Sequence, residues 1–212
     1  QYDVDPDQPY VLFVGRITRQ KGILHLVRAI HHMNPEIQVV LCAGAPDTEA
    51  IGEEMERRVE TAKRETDNRI VWIAEMLPRE DVITLYSMAD VFVCPSVYEP
   101  FGIINLEAMA CKTPVVASRV GGIPEIVVPE ETGLLVDVEP QTGDGVEPSD
   151  PDAFAHGLAD GVNRLMADPD LRASMGAQAR QRVEDVFSWT AIAEQTLSFY
   201  KDLVAETESA LP

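Results

Sequence analysis

Short, continuous apolar runs recur along the first two thirds of the chain and limit what it can fold into. Six of them are rich in β-branched residues and do not alternate with polar ones, covering residues 11–14, 39–43, 70–73, 91–94, 115–117 and 134–136. Such continuous apolarity is typical of strands covered on both faces, as in a parallel sheet. We therefore expect a parallel sheet of about six strands.

Between most of these runs the apolar residues follow a helical spacing. Three apolar helix faces are predicted, formed by Ile23, Val27 and Ile30, by Met55, Val59 and Ala62, and by Val82, Leu85, Met88 and Ala89. Strand followed by helix, repeated along a chain, is the pattern of βαβ units. The predicted fold class is therefore α/β, with a doubly wound parallel sheet.

The last third of the chain, residues 150–212, is predicted to be a helical tail. The Asp-Pro pairs at 150–151 and 168–169 have the acidic cap and first-turn proline that begin helices. A third helix is predicted to begin at Ser188. We expect a single domain over residues 1–212, in which the tail follows the sheet.

The chain is strongly acidic, with 36 Asp and Glu against 17 Lys and Arg and a formal net charge of −19. This charge argues against nucleic acid or an anionic membrane as the main partner. The longest stretch free of charged residues, 37–46, is ten residues long. Because that is too short to cross a bilayer, no membrane span is predicted.

The cysteines, histidines and tryptophans are interpreted as structural. Cys42, Cys94 and Cys111 lie in apolar segments without a C-x-x-C pair, which favours buried thiols in a reducing cytoplasm over a disulfide or metal site. The remaining expectations are surface or helix-end positions for His25, His31 and His32, and core or interface positions for Trp72 and Trp189.

One segment of this acidic chain is basic: residues 10–35 contain no Asp or Glu, and Arg16, Arg19 and Lys21 follow the first predicted strand. Ligands of open α/β sheets bind at the carboxyl ends of strands. Cations beside a helix start there suit a phosphate or diphosphate, but a locally basic surface explains the charge equally well. The glycine spacing in residues 15–22 matches neither the P-loop nor the dinucleotide fingerprint.

Two glutamates flank the start of a helix after the fourth predicted strand. The helix is predicted to begin near Gly102 or Ile103 and to run to Ala110, with Glu99 in the loop before it and Glu107 about one turn inside it. Carboxylates accept hydrogen bonds from ribose or sugar hydroxyls, and first-turn amides suit phosphate oxygens. One crevice could hold all three groups, although helix capping also favours acids near helix starts.

Two further loops have distinctive compositions. Gly121-Gly122, after the fifth predicted strand, permits either a close approach of a ligand to the main chain or an ordinary tight turn. Residues 139–147, which are acidic and contain glycine, are expected to form an exposed loop.

Together these segments resemble the retaining, nucleotide-sugar glycosyltransferases with the two-domain GT-B fold. Residues 15–22, Gly-Arg-Ile-Thr-Arg-Gln-Lys-Gly, resemble their phosphate-binding loop, and Glu99 and Glu107 reproduce their E-x₇-E motif. The similarity continues through residues 114–117, 121–125 and 132–136 and covers nearly the whole chain. It implies a Rossmann-like domain, one half of a GT-B fold.

The resemblance implies a role for each matching residue. Arg16 and Lys21 would contact the donor diphosphate, Gly15 would let the phosphates approach, and Glu107 would bind the ribose hydroxyls. Glu99 would face the transferred sugar, so that Glu99, Arg16 and Lys21 are the expected catalytic residues. The other implied contacts are backbone groups of Phe101, Gly102 and Ile103 and, beside the base, the loop near Leu77.

The family also has an acceptor-binding half, which precedes the donor-binding half. This chain has one set of strands and corresponds to the second half, without the N-terminal acceptor domain. Its last helix would cross back to the first half. We therefore expect the chain alone to bind a nucleotide-diphosphate sugar without catalysing transfer, and to need no metal or other cofactor.

Residues 16–22 and the acidic loop resemble the bacterial, especially actinobacterial, glycogen-synthase-like members, which transfer glucose from ADP-glucose or UDP-glucose to α-glucans. The alternatives are a glycosyltransferase with a UDP- or GDP-sugar donor and a lipid or small-molecule acceptor, and a stand-alone nucleotide-binding module without catalysis. Nucleotide-sugar 2-epimerases share the fold, but the E-x₇-E spacing favours transfer.

Overall fold

The structure is a computed structural model that describes residues 2–139 and 147–209. Six parallel strands form one sheet in the order β3-β2-β1-β4-β5-β6. The strands are β1 (Tyr10–Arg16), β2 (Gln38–Gly44), β3 (Ile70–Ile73), β4 (Val91–Cys94), β5 (Val115–Ser118) and β6 (Gly133–Val136). Each lies at one of the six apolar runs, so the predicted α/β fold class and parallel sheet are confirmed.

Helices follow the strands and then complete the described part of the chain. They are α1 (Ile23–Ala29), α2 (Glu49–Glu65), α3 (Arg79–Met88), α4 (Ile103–Ala110), α5 (Ile123–Ile126), α6 (Pro151–Ala167), α7 (Pro169–Arg182) and α8 (Trp189–Ser209). A 3₁₀ turn (Ile30–His32) extends α1, and a π-helical segment (Val183–Phe187) precedes α8. The three predicted helix starts of the tail are confirmed.

The sheet is covered on both faces, as its continuous apolar strands predict. Successive residues of β1 enter opposite cores: Val11 and Phe13 pack with α1, α2 and α6, whereas Tyr10 and Leu12 pack with α3, α4 and α5. Helix α7 contributes to both cores. Burial on both faces is why these strands contain almost no polar residues.

Two aspartates cap the helices of the tail. Asp150 accepts hydrogen bonds from the amides of Asp152 and Ala153 at the start of α6, at 3.1 and 2.9 Å. Asp168 accepts one from the amide of Leu171 at the start of α7, at 2.9 Å. Both satisfy backbone donors that have no partner inside a helix.

Replacing Asp168 with Ala is expected to lower the free energy of unfolding by about 1 kcal/mol, because the Leu171 amide loses its partner. Urea denaturation followed by circular dichroism measures this loss. Asp170 lies in the first turn of the same helix and provides the matched control. An equal loss for Asp170→Ala would show that negative charge near the helix start, rather than the cap bond, stabilises α7.

One predicted core position, Met88, proves to be exposed, and Trp189, for which a core or an interface position is predicted, does not lie in the core. Met88 is 49% exposed, because Leu85 and Tyr86 form the buried side of α3 and Met88 lies about 110° around the helix from their midpoint. Trp189 is 90% exposed at the start of α8. Other apolar side chains of α8 are also exposed, namely Ile192, Leu197, Phe199, Tyr200, Leu203 and Val204. None of the helices in the described ranges combines the length and apolarity of a membrane span.

The strand order places two loops side by side at one edge of the sheet. Strand β1 pairs with β2 on one side and β4 on the other, so the chain direction across the sheet reverses between β1 and β4. In open α/β sheets, ligands bind at such a switch point, in the crevice outside the carboxyl ends of the strands. These loops are residues 17–22 and 95–102.

Candidate functional site

The first of these loops, together with the end of β1, is the predicted phosphate-binding segment; residues 15–22 are called the basic loop below. The amide of Lys21 donates to Oγ1 of Thr18 at 3.0 Å, and the amide of Gly22 donates to the carbonyl of Arg19 at 3.0 Å. Gly22, with φ of 63°, then begins α1. The sequence thus folds into a compact turn that leads directly into a helix.

The basic loop packs against the loop after β4 (residues 95–102, the β4–α4 loop). The amide of Val97 donates to the carbonyl of Gln20 at 2.9 Å. A Cβ on Gly22 would lie 1.8 Å from the carbonyl oxygen of Pro95, so a side chain does not fit there. Glycine at this position therefore brings the two loops into backbone contact.

An ion pair joins the two loops inside the crevice. Nζ of Lys21 lies 2.6 Å from Oε2 of Glu99, whose side chain is 8% exposed. The buried hydroxyl of Ser96 donates to the same oxygen at 3.3 Å. Ser96 is held in turn by Ser118, whose hydroxyl donates to the Ser96 carbonyl. The structure thus brings two predicted site residues, Lys21 and Glu99, into direct contact, which the sequence did not predict, and holds the Glu99 carboxylate from two sides.

The Gly121-Gly122 turn supports the backbone of Glu99. The Gly122 amide donates to the Glu99 carbonyl at 3.1 Å. Gly121 has φ of 51°, and a Cβ there would lie 1.8 Å from the Glu99 carbonyl oxygen. The pair thus forms a tight turn against which the protein's own β4–α4 loop packs closely.

The second motif glutamate lies on the helix that follows. Gly102, with φ of 103°, begins α4, and Phe101 and Ile103 beside it are exposed. Glu107 is exposed on α4, and the buried hydroxyl of Tyr86 donates to its Oε2 at 3.3 Å. The predicted helix start and the position of Glu107 inside it are confirmed.

The remaining predicted residues lie around the crevice. Gly15 and Arg16 are the last residues of β1, and Arg16 pairs with Asp47, in the loop after β2, at 2.9 Å. Both partners are exposed, so the pair is weak and screened by solvent. Leu77 is half-buried in the loop after β3, where it packs against the core beneath α3 and α4.

The lysine and the three arginines of residues 10–35 all have carboxylate partners from other parts of the chain. Besides Arg16 and Lys21, the pairs are Arg19 with Glu54 and Glu147, and Arg28 with Asp152. The rings of His25 and His31 lie beside Glu147 and Glu65. The segment is therefore not a free basic surface. A phosphate that binds there competes with these carboxylates for the cations.

One prediction near this segment is wrong. His25 is 6% exposed rather than on the surface, because α1 is buried on nearly all sides. Burial lowers the pKa of His25, and the neighbouring Glu147 opposes that shift. At the two ends of the predicted exposed loop, Glu139 is exposed and Glu147 is half-buried against Arg19 and His25. Residues 140–146 lie outside the described part.

Burial also explains why Cys42 and Cys94 remain protonated thiols. Cys42 and Cys94 are buried and Cys111 is partly buried, all as free thiols. Desolvation raises the pKa of the Cys42 thiol to about 11 and also raises that of Cys94, so both stay protonated. Within residues 2–139 and 147–209, no group of three or more His, Cys, Asp or Glu could hold a metal ion.

Sequence reasoning missed three residues that contact the predicted site: Asp47, Tyr86 and Ser96. Ser96 lies three residues before Glu99, and this spacing was a local signal for a contact. Asp47 and Tyr86 had none, because each meets its partner through the packing of separate βα units.

The strand order and the paired loops at its switch point define a Rossmann-like α/β domain with a crevice at that switch point. Residues 1–182 match the family model "Glycosyl transferases group 1". The chain belongs to this family, and its sheet and helices match the donor-side half of the GT-B architecture that the sequence implied.

Several named proteins are similar to this chain. The chain is 50% identical over 202 residues to alpha-maltose-1-phosphate synthase of Mycolicibacterium smegmatis, covering 95% of this chain and 50% of that protein. It is 38% identical to D-inositol 3-phosphate glycosyltransferase of Corynebacterium jeikeium, covering 90% and 43%. The structure of sucrose-phosphate synthase from Thermosynechococcus elongatus superposes with a TM-score of 0.76 at 39% identity, covering 96% and 47%. The chain thus spans about half the length of these relatives.

Proposed function

We propose that this chain is the donor-binding half of a retaining glycosyltransferase that transfers a hexose from a nucleotide-diphosphate sugar. The observation that carries the proposal is the Lys21–Glu99 pair at the switch point, next to the start of α4. A cation, a fixed carboxylate and a helix N-terminus in one crevice suit a diphosphate linked to a polyhydroxylated group.

In this proposal each charged or polar group of the site stabilises a charge that develops during sugar transfer. Cleavage of the anomeric bond develops negative charge on the leaving diphosphate, which Lys21, Arg16 and the first-turn amides of α4 stabilise. Positive charge develops on the sugar ring, beside the Glu99 carboxylate. Lys21 then contacts both Glu99 and the phosphate, so one cation links the sugar and diphosphate subsites.

The names of the relatives favour a small phosphorylated acceptor over a glucan. Alpha-maltose-1-phosphate, inositol 3-phosphate and sucrose phosphate are all phosphorylated sugars or polyols. We propose an acceptor of this class, with a glucan, the expectation from the sequence, as the alternative. The nucleotide base is open, with ADP-glucose as the expected donor and a UDP- or GDP-sugar as the alternative.

The acceptor contacts belong to the other half of the protein in this proposal. The relatives are about twice as long as the chain. The exposed apolar side chains of α8 would contact that half, and residues 1–212 alone would bind the donor without transferring its sugar.

Calorimetric titration of the full-length protein with ADP, UDP and GDP, each with and without Mg²⁺, tests the proposal. We expect one nucleotide to bind, and to bind equally well without the metal. Absence of binding by all three would overturn the donor-site assignment. Transfer assays with glucose 1-phosphate and with a maltooligosaccharide then separate a phosphorylated acceptor from a glucan.

Replacing Glu107 with Ala is expected to raise the Kd of the bound nucleotide about tenfold, because the ribose hydroxyls lose a charged acceptor. Inorganic pyrophosphate should bind as before. Glu60→Ala on α2, which pairs with Lys63 on the surface, is the control and should leave both affinities unchanged. Unchanged nucleotide affinity in Glu107→Ala would remove Glu107 from the site.

A further inference from the structure

Tyr86 contacts the predicted ribose-binding carboxylate from beneath. It lies on α3, is 1% exposed, and donates its hydroxyl hydrogen to Oε2 of Glu107 on α4 at 3.3 Å. Glu107 itself is exposed, so its carboxylate has a buried donor on one side and the crevice edge on the other. A carboxylate has two oxygens with several lone pairs, and one bond to Tyr86 leaves acceptors for a ligand.

The tyrosine is a rigidly placed donor. Its ring packs edge-to-face on Phe92 of β4, with the ring centroids 5.3 Å apart and the planes at 62°. Its backbone carbonyl accepts a hydrogen bond of 2.6 Å from the hydroxyl of Thr113. Burial, and then the neighbouring Glu107, raise the pKa of the Tyr86 hydroxyl, which therefore remains protonated as a donor.

A solvent-exposed glutamate has several rotatable bonds and loses rotational freedom when it binds a ligand. A fixed donor that holds its carboxylate before binding reduces this cost. We propose that Tyr86 is a positioning residue that orients Glu107 for the ribose diol of the nucleotide. The inference rests on the proposed function, and it adds to the site a residue on α3, outside both loops of the crevice.

The structure also provides a matched control tyrosine. Tyr10 of β1 is 2% exposed, packs in the same core as Tyr86, and donates its hydroxyl hydrogen to the carbonyl of Leu85 at 2.6 Å. The two tyrosines therefore bury their rings alike and both bond through their hydroxyl. They differ in the acceptor: a backbone carbonyl for Tyr10 and the Glu107 carboxylate for Tyr86.

The test compares Tyr86→Phe and Tyr10→Phe in the full-length protein, with three probes titrated by calorimetry. The probes are the nucleoside diphosphate that the wild type binds, its 2′,3′-dideoxy form, and inorganic pyrophosphate. We expect Tyr86→Phe to raise the Kd of the nucleoside diphosphate about fivefold and to leave the Kd values of the other two probes unchanged. Tyr10→Phe should lower the free energy of unfolding without changing any of the three affinities.

A double-mutant cycle shows whether Tyr86 acts through Glu107. In a Glu107→Ala background, which removes the acceptor of the Tyr86 hydroxyl, adding Tyr86→Phe should have no further effect on nucleotide affinity. Three results would each overturn the inference while leaving the proposed function intact. They are equal nucleotide affinity of the wild type and Tyr86→Phe, an equal loss of pyrophosphate affinity in Tyr86→Phe, and additive losses of nucleotide affinity in the cycle. A wild type that binds none of the nucleotides would overturn the proposed function, and the inference with it.

Discussion

Replacing Lys21 with Ala should lower the rate of sugar transfer about 100- to 1000-fold. The ammonium group faces the crevice between the two loops, where the leaving diphosphate gains charge in the proposed reaction. Loss of one group that stabilises such charge typically raises the barrier by about 2.7–4 kcal/mol. Steady-state kinetics of the full-length protein with its nucleotide sugar measures the effect, which we expect mainly in kcat.

The same substitution has a second consequence, because it leaves the largely buried Glu99 carboxylate without its cation. Removing one partner of a buried pair destabilises a protein. The double variant Lys21→Ala/Glu99→Gln removes the unpaired charge and should recover stability while staying inactive. Lys63→Ala, on the surface of α2, is the control for lysine removal. Because Glu99 is itself an expected catalytic residue, recovery of activity together with stability would remove both Lys21 and Glu99 from the catalytic machinery.

Replacing Gly121 with Ala should lower the free energy of unfolding by about 3 kcal/mol. The new Cβ would lie 1.8 Å from the carbonyl oxygen of Glu99, and φ is 51°, which alanine adopts with strain. A backbone carbonyl cannot rotate away as a flexible side chain does, so the β4–α4 loop has to move. We therefore expect weaker nucleotide binding as well, measured by titration beside urea denaturation.

Gly52→Ala is the matched control for this substitution. Gly52 lies in α2, and a Cβ there would meet the side chain of Pro46 at 3.3 Å. The gain in helix propensity, about 1 kcal/mol, offsets the displacement of that ring. The free energy of unfolding of Gly52→Ala should therefore stay within about 1 kcal/mol of the wild-type value. A Gly121→Ala protein as stable as this control would contradict the contact between the glycine turn and Glu99.

Much of the fold could be predicted from local patterns. The six apolar runs are strands because burial on both faces excludes polar residues over a few consecutive positions. The starts of α6 and α7 follow from Asp-Pro pairs, whose capping bonds span three residues or fewer. The position of Glu107 on α4 follows from its distance to Gly102.

Local patterns were less informative where a position depends on what packs over it. The spacing of Met88 resembled that of a buried residue, but the orientation of α3 on the sheet left it exposed. The opposite holds for His25, which was expected at the surface or a helix end but is buried. Helix α6, which includes Phe154, packs against α1 and covers it. No local pattern predicted the partners of Arg16 and Glu107, because these partners, Asp47 and Tyr86, come from other βα units.

Local sequence patterns were enough to predict the strands, the helix starts and the two motif glutamates, because these depend on residues within a few positions of one another. The contact between Lys21 and Glu99, which lie 78 residues apart, became visible only in the folded structure. That contact requires β1 and β4 to be neighbours in the sheet, so that their following loops share one crevice. Strand order arises from packing of the whole sheet and its helices, which no short stretch of sequence contains.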